Sequence, residues 1–222
     1  MEQTNTRETN NSELFVALLT KVDGWETVPS RSFQGGVELI KERKADVPIS
    51  LHYMPQEGRF RKLADESLYS PKVEREHRFW QTAMEHFEVQ DTVNLGTIKK
   101  LKSDPSRGYQ SLSYLDMPYM GLPLHYYESI FPGTLSEEAR DEFLQKMQSL
   151  VTERRIFNPD MNSGNILVHV QDGTPTLFPI DWESANPKVP QNKLEYYSQE
   201  QHKRCAETLN TFYPDVSSLQ SV

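Results

Sequence analysis

Apolar residues recur with two periods along this chain. Between 73 and 87 they stand at Val73, Trp80, Ala83, Met84 and Phe87, a helical spacing with Pro71 just ahead, which predicts a helix over 73–88. Phe143, Met147, Leu150 and Val151 form one face of a second helix. Thr134 and Ser136 are its cap candidates, Thr134-x-x-Glu137 reads as a capping box, and Glu153-Arg154-Arg155 places basic groups at its C-terminus. A short helix from Ser12 (ELFVALLTKV) leads to Gly24-Trp25. A last helix over 191–213 offers Leu194, Tyr197, Cys205, Leu209 and Phe212 as inner positions. The remaining apolar runs are short. WETV, VELIKER and VPISLHYM, punctuated by Gly35-Gly36 and Asp46, predict a small twisted sheet. VNLGTIKKL and YQSLSYLDMPYM read as two strands around the polar loop 103–108. NILVHV (165–170) and 175–180 form a hairpin turned at Asp172-Gly173.

Composition adds limits. Of 222 residues, 36% are apolar; exchanging the 10 Tyr for the 10 Gly leaves that share unchanged, against about 45–50% for average chains counted that way. Part of the chain is therefore expected to stay unpacked, and residues 1–12, rich in Thr, Asn, Glu and Gln, read as a disordered tail. No run reaches the roughly 18–20 apolar residues of a membrane span, and the first fifteen residues lack a secretory pattern. Cys205 is the single cysteine, which excludes an intrachain disulfide and makes a cytoplasmic location the expectation. A net charge of -8 argues against nucleic acid as a partner.

Candidate chemistry begins with Glu76, which lies three after Val73 and four before Trp80 and so shares the buried stripe of its helix. Such a carboxylate either finds a cation or a metal, or reaches the rim of the stripe and stays solvated. The informative stretch is RIFNPDMNSGNILVHVQDGTPTLFPIDWES, residues 155–184. The hairpin brings Asn165, at the base of one strand, beside Asp181, at the end of the other, and Asp160 sits on the loop entering the same spot. Two carboxylates and an amide oxygen are hard ligands of the kind Mg²⁺ takes together with substrate phosphates. The set suggests phosphoryl transfer, in which one Asp serves the acceptor hydroxyl while an Asn and another Asp hold metal. Taken singly, each of the three also suits a turn or cap role.

Asn158-Pro159-Asp160-x4-Asn165-Ile166-Leu167 resembles the catalytic loop of the protein-kinase-like superfamily, and Ile180-Asp181-Trp182-Glu183 resembles its metal-binding strand end. The compact length and the run from Glu74 are similar to the bacterial YrbL-like proteins of the PhoP regulatory network. Short enteric effector kinases look alike over 162–165 and 177–181, lipopolysaccharide-core kinases near Trp25, Pro29 and Gly36-Val37, and aminoglycoside phosphotransferases share the Asp-Trp-Glu ending. The resemblance implies an α+β, protein-kinase-like fold: a small antiparallel β-rich N-lobe (13–118), a minimal helical C-lobe (119–222) and an ATP site between them. It also implies roles for individual residues. Asp160 would be the catalytic base and Asn165 and Asp181 the Mg²⁺ ligands. Glu76 would partner the ATP-binding lysine, and 115–120, with Asp116 and Met117, would form the adenine-facing hinge. Gly35 and Gly36 are the candidate phosphate loop, although a glycine pair equally suits a hairpin turn. The acceptor implied is a hydroxyl on a protein or a sugar.

Departures from the family pattern bear on activity. Asn158-Pro159 replaces the usual His-Arg, Trp182-Glu183 replaces Phe-Gly, and no full glycine loop is present. PISLHY (48–53), taken as the third small-lobe strand, carries no lysine; Lys41 and Lys44 lie earlier and Lys62 later. His52 stands near the expected position but reads as structural, and the other five histidines show no ligand spacing. About forty residues follow Asp181, too few for a full helical lobe. Three readings stay open: a Mg-ATP-dependent phosphotransferase of minimal kinase fold, a pseudokinase that binds nucleotide or a partner without catalysis, and an unrelated binding domain.

Overall fold

The computed structural model describes residues 3–41, 49–102, 104–171 and 173–213. Lys44, Asp46, Pro48, Ser103 and Asp172, used in the sequence reading, lie outside the described residues. The fold is α+β, with a six-stranded antiparallel sheet, a three-stranded sheet and helices. Contacts divide the chain into two units, 1–81 with 90–119, and 82–89 with 120–222. The division assigns the end of the helix predicted over 73–88 to the second unit.

In the first unit, helix α1 (Gln3–Lys21) precedes β1 (Glu26–Pro29), β2 (Val37–Ile40), β3 (Ile49–Met54) and β4 (Arg59–Ala64). Helix α2 (Ser70–His86) then leads to the long hairpin of β5 (Asn94–Leu101) and β6 (Tyr109–Pro118), and the sheet order is β1-β2-β3-β4-β6-β5. The structure carries α1 back through the segment read as a tail. Nucleating a helix is costly but each further residue adds one bond, so the apolar turn after Ser12 can extend into a polar stretch.

Hydropathy predicts no strand at Arg59–Ala64, because three of its six residues are basic. What makes it a strand is the connection Pro55–Gly58: Gly58, at φ +63, donates its N–H to the Met54 carbonyl at 2.9 Å and pairs Met54 with Arg59. Alternation then sorts side chains to two faces. One face carries Met54, Leu63 and Leu112 packed with Phe33, Ile98 and Tyr114. Residues of odd number on β4 share it, and Lys62 points to the other.

The second unit contains β7 (Leu122–Pro123), α3 (Leu124–Ile130), α4 (Glu137–Arg154), β8 (Ile166–Gln171), β9 (Thr174–Pro179) and α5 (Leu194–Asn210). The sheet order is β7-β8-β9. Ser136 caps α4 by accepting from the Ala139 N–H, whereas the Thr134 hydroxyl donates to the Phe131 carbonyl, so the capping box centred on Thr134 does not form. Gln171 faces Thr174 across a two-residue connection, and Gly173, at φ +83, supplies the left-handed backbone such a turn needs. Phe87 packs edge-on against Phe178 and beside Phe143, and Met147, Leu150 and Val151 are buried. Val151, Phe157 and Val189 gather Leu194 and Tyr197 of α5.

Candidate functional site

The loop 155–165 is held at several backbone points. Phe157 and Asn186 exchange N–H···O bonds at 3.1 and 2.7 Å, and the Val189 N–H reaches the Arg155 carbonyl at 3.0 Å. These ties pin the start of the loop to the segment after β9. Asn158, fully buried, is the junction. Its N–H donates to Gln201 Oε1 at 2.8 Å, its Oδ1 accepts from the Asp160 N–H at 3.2 Å, and its Nδ2 donates to the Asp181 carbonyl at 3.3 Å. One amide side chain thereby links the backbones of two of the three candidate residues. In sequence it reads only as a departure from the kinase pattern. Helix α5 completes the support: Arg204 Nη1 donates to the Pro159 carbonyl at 3.1 Å and the Thr208 hydroxyl to that of Met161 at 2.6 Å. Gln201, Arg204 and Thr208 fall at i, i+3 and i+7, one face of the helix.

Asn165 and Asp181 are placed by the hairpin register. Ile166 faces Pro179, and the Ile180 N–H donates to the Asn165 carbonyl at 2.8 Å, so Asn165 and Ile180 are direct neighbours and Asp181 is the next residue. The Asn165 Nδ2 donates to the Asp160 carbonyl at 2.9 Å, which ties the loop to the strand base and leaves Oδ1 as its acceptor. The exposed Asp160 carboxylate accepts from Asn162 Nδ2 at 2.9 Å. Asp181 sits in the left-handed region at φ +56, a conformation that costs an L-residue about 1–2 kcal/mol. Its neighbour Trp182, with no exposure, provides the burial that holds the turn. Asp160, Asn165 and Asp181 thus share one hydrogen-bonded patch of backbone.

No group of three or more His, Cys, Asp or Glu side chains that could hold a metal occurs among the described residues. The patch offers two carboxylates and one amide oxygen, a set that suits Mg²⁺, which keeps several waters and takes one or two protein carboxylates. Asn165 and Asp181 could hold that ion, with Asp160 on the loop beside them.

In the first unit, Lys62 on β4 places Nζ 2.8 Å from Glu76 Oε2 on α2, with the Glu76 side chain only 3% exposed. The cation that the sequence reading does not find on 48–53 is therefore one strand later. A strand lysine held by a buried helix glutamate is an arrangement that can present a cation to phosphate groups. His52, on β3, is enclosed instead. Its Nδ1 lies 3.0 Å from the Ser30 hydroxyl and its Nε2 2.8 Å from that of Ser50, and burial pulls its pKa down to about 4.

Other predicted residues fall elsewhere. Gly35 and Gly36 precede β2, in the β1–β2 turn, where the Gly36 N–H donates to the Phe33 carbonyl. A Cβ on Gly36 would stand 2.7 Å from Met54 Sδ, so close packing explains that glycine. Asp116 lies opposite Arg61, on the face away from Lys62. Its carboxylate accepts from Arg61 Nε at 3.0 Å and Arg59 Nε at 2.8 Å, so the Asp116 side chain is engaged by β4. Met117 faces Phe60, on the Lys62 side.

No family model matches the chain, and no curated protein matches it. Among solved structures it is similar to residues 1–466 of Rad53 in complex with AMP-PNP, at 16% identity and a TM-score of 0.46. That match covers 89% of this chain and 50% of the other, so the chain spans half the length of its neighbour.

Proposed function

We propose that this protein is a Mg-ATP-dependent phosphotransferase of kinase type, acting on a hydroxyl of a protein or a sugar. The observation that carries this reading is the Lys62–Glu76 ion pair at 2.8 Å between a strand and a helix, since it restores the cation the chemistry needs. The backbone patch of Asp160, Asn165 and Asp181 supplies the rest. In the proposed reaction the bond from the γ-phosphorus to the β-bridging oxygen breaks and a bond to the acceptor oxygen forms. The hydroxyl proton passes to Asp160. Lys62 neutralises the α and β phosphates, and Asn165 and Asp181 would hold the Mg²⁺ that would supply further charge neutralisation at the phosphates. A cytoplasmic location and kinship with YrbL-like bacterial proteins belong to the same proposal, supported by the single cysteine and by the motifs over 155–184.

The test is incubation with Mg²⁺ and γ-labelled ATP, comparing the parent with Asp181→Ala and Asp160→Ala over protein and sugar acceptors. Transfer by the parent alone supports the enzyme. The second reading, a pseudokinase regulator, is favoured by one specific feature: the sequence contains no full Gly-x-Gly-x-x-Gly loop to bring backbone amides close to phosphate. It predicts nucleotide-induced stabilisation, about 2.7 kcal/mol at 100 times the dissociation constant, with no label transferred by any variant.

A further inference from the structure

Phe60 lies two residues before Lys62 on β4 and so projects from the same face of the sheet. Tyr53 faces it on β3 and Met117 on β6, and Tyr119 follows the end of β6. Helix α1 is seated on this group. The Phe15 ring stands edge-on to Phe60 at 5.5 Å and tilted to Tyr119 at 6.2 Å, and Phe60 in turn meets Tyr53 at 5.1 Å. The hydroxyls of Ser12 and Tyr53 are hydrogen-bonded at 2.8 Å.

The proposed nucleotide must lay its base along β4 if its phosphates reach Lys62. Toward Ala64, which has no exposure, the strand is closed. The other direction reaches Phe60 about 7 Å away, two residues at the strand rise, with Met117 beside it and Tyr119 further on. That ground is where Phe15 sits.

The seat is incompletely satisfied. The Tyr119 hydroxyl, on the ring that Phe15 meets, is buried with no hydrogen-bond partner among the described residues, which carries a desolvation penalty.

We propose that α1 is an intramolecular plug: seated as here, it occupies the base-binding face beside Lys62, and Mg-nucleotide binds only when it lifts away. The proposal rests on the nucleotide reading above. Its test compares the full-length parent with Phe15→Ala, and with the milder Ser12→Ala, for affinity toward a fluorescent ATP analogue with Mg²⁺. Amide exchange over 12–21 is followed in parallel. The expected result is binding at least tenfold tighter in Phe15→Ala, a smaller gain in Ser12→Ala, and faster α1 exchange in the parent once nucleotide is added. Equal affinities with unchanged α1 exchange overturn the plug and leave nucleotide binding standing. Absence of binding in all three, with α1 exchange accelerated in Phe15→Ala, overturns the nucleotide reading and the plug with it.

Discussion

Glu76 shows how far a single position can be read. Its place on an apolar stripe demands a partner or a route to solvent, and the structure supplies the partner, Lys62, at 2.8 Å. Removing that cation takes an ion-pair contact away from a carboxylate that is only 3% exposed, which destabilises the fold. Lys62→Met should therefore lower the urea midpoint strongly, while the double variant Lys62→Met/Glu76→Leu recovers most of the loss. Recovery by the double variant identifies the lost ion pair, rather than lost packing, as the cause. His52 offers a pH signature. Its pKa falls from 6.5 to about 4 in the folded protein because burial disfavours the cation. Between those values the unfolded chain binds a proton the folded chain refuses, so stability declines as pH drops from 6.5 toward 4, by an amount on the order of 2 kcal/mol. Above pH 6.5 this group contributes no slope. His52→Gln should flatten that part of the stability profile measured by denaturant titration at several pH values.

At the scale of elements, α5 is the least obvious contributor. Periodicity places a helix over this part of the chain and marks Cys205 and Leu209 as inner positions, which are 0% and 2% exposed. It gives no hint that Gln201, Arg204 and Thr208 bond the backbone of the Asp160 loop, since polar residues on a helix ordinarily face water. Gln201→Ala strips the buried Asn158 N–H of its acceptor and should cost about 1–3 kcal/mol, read from thermal unfolding. If the phosphotransferase proposal holds, the same variant lowers kcat with little change in KM for ATP, because the loop is loosened while Lys62 is untouched. Strand β4 teaches a related point. Arg59, Arg61 and Lys62 hide it from hydropathy, although Gly58 marks the turn before it and β3 needs a partner on that edge. Two of these cations are neutralised by Asp116 and the third by Glu76, so a strand rich in charge is tolerated only because its partners arrive from β6 and α2.

For the molecule as a whole, 24 basic against 32 acidic side chains and a pI near 5.3 mean that nucleic acid is repelled at neutral pH. A labelled duplex should show no saturable binding in an anisotropy titration at roughly 0.15 M salt, and appreciable affinity there would expose a basic patch the sequence total conceals. No helix among the described residues is long and apolar enough to cross a membrane. The sequence by itself determined what is local: the helical stripes, the hairpin over 165–180, and the triplet Asp160, Asn165 and Asp181, whose spacing is fixed by a turn and a strand register. Tertiary structure alone decided which lysine meets Glu76, which glycines serve packing, where Asp116 points, and what braces Asn158. Each of these is a pairing between residues far apart in the chain. One-dimensional periodicity records which side of its own element a residue occupies, whereas the partner it meets there depends on strand order and helix docking.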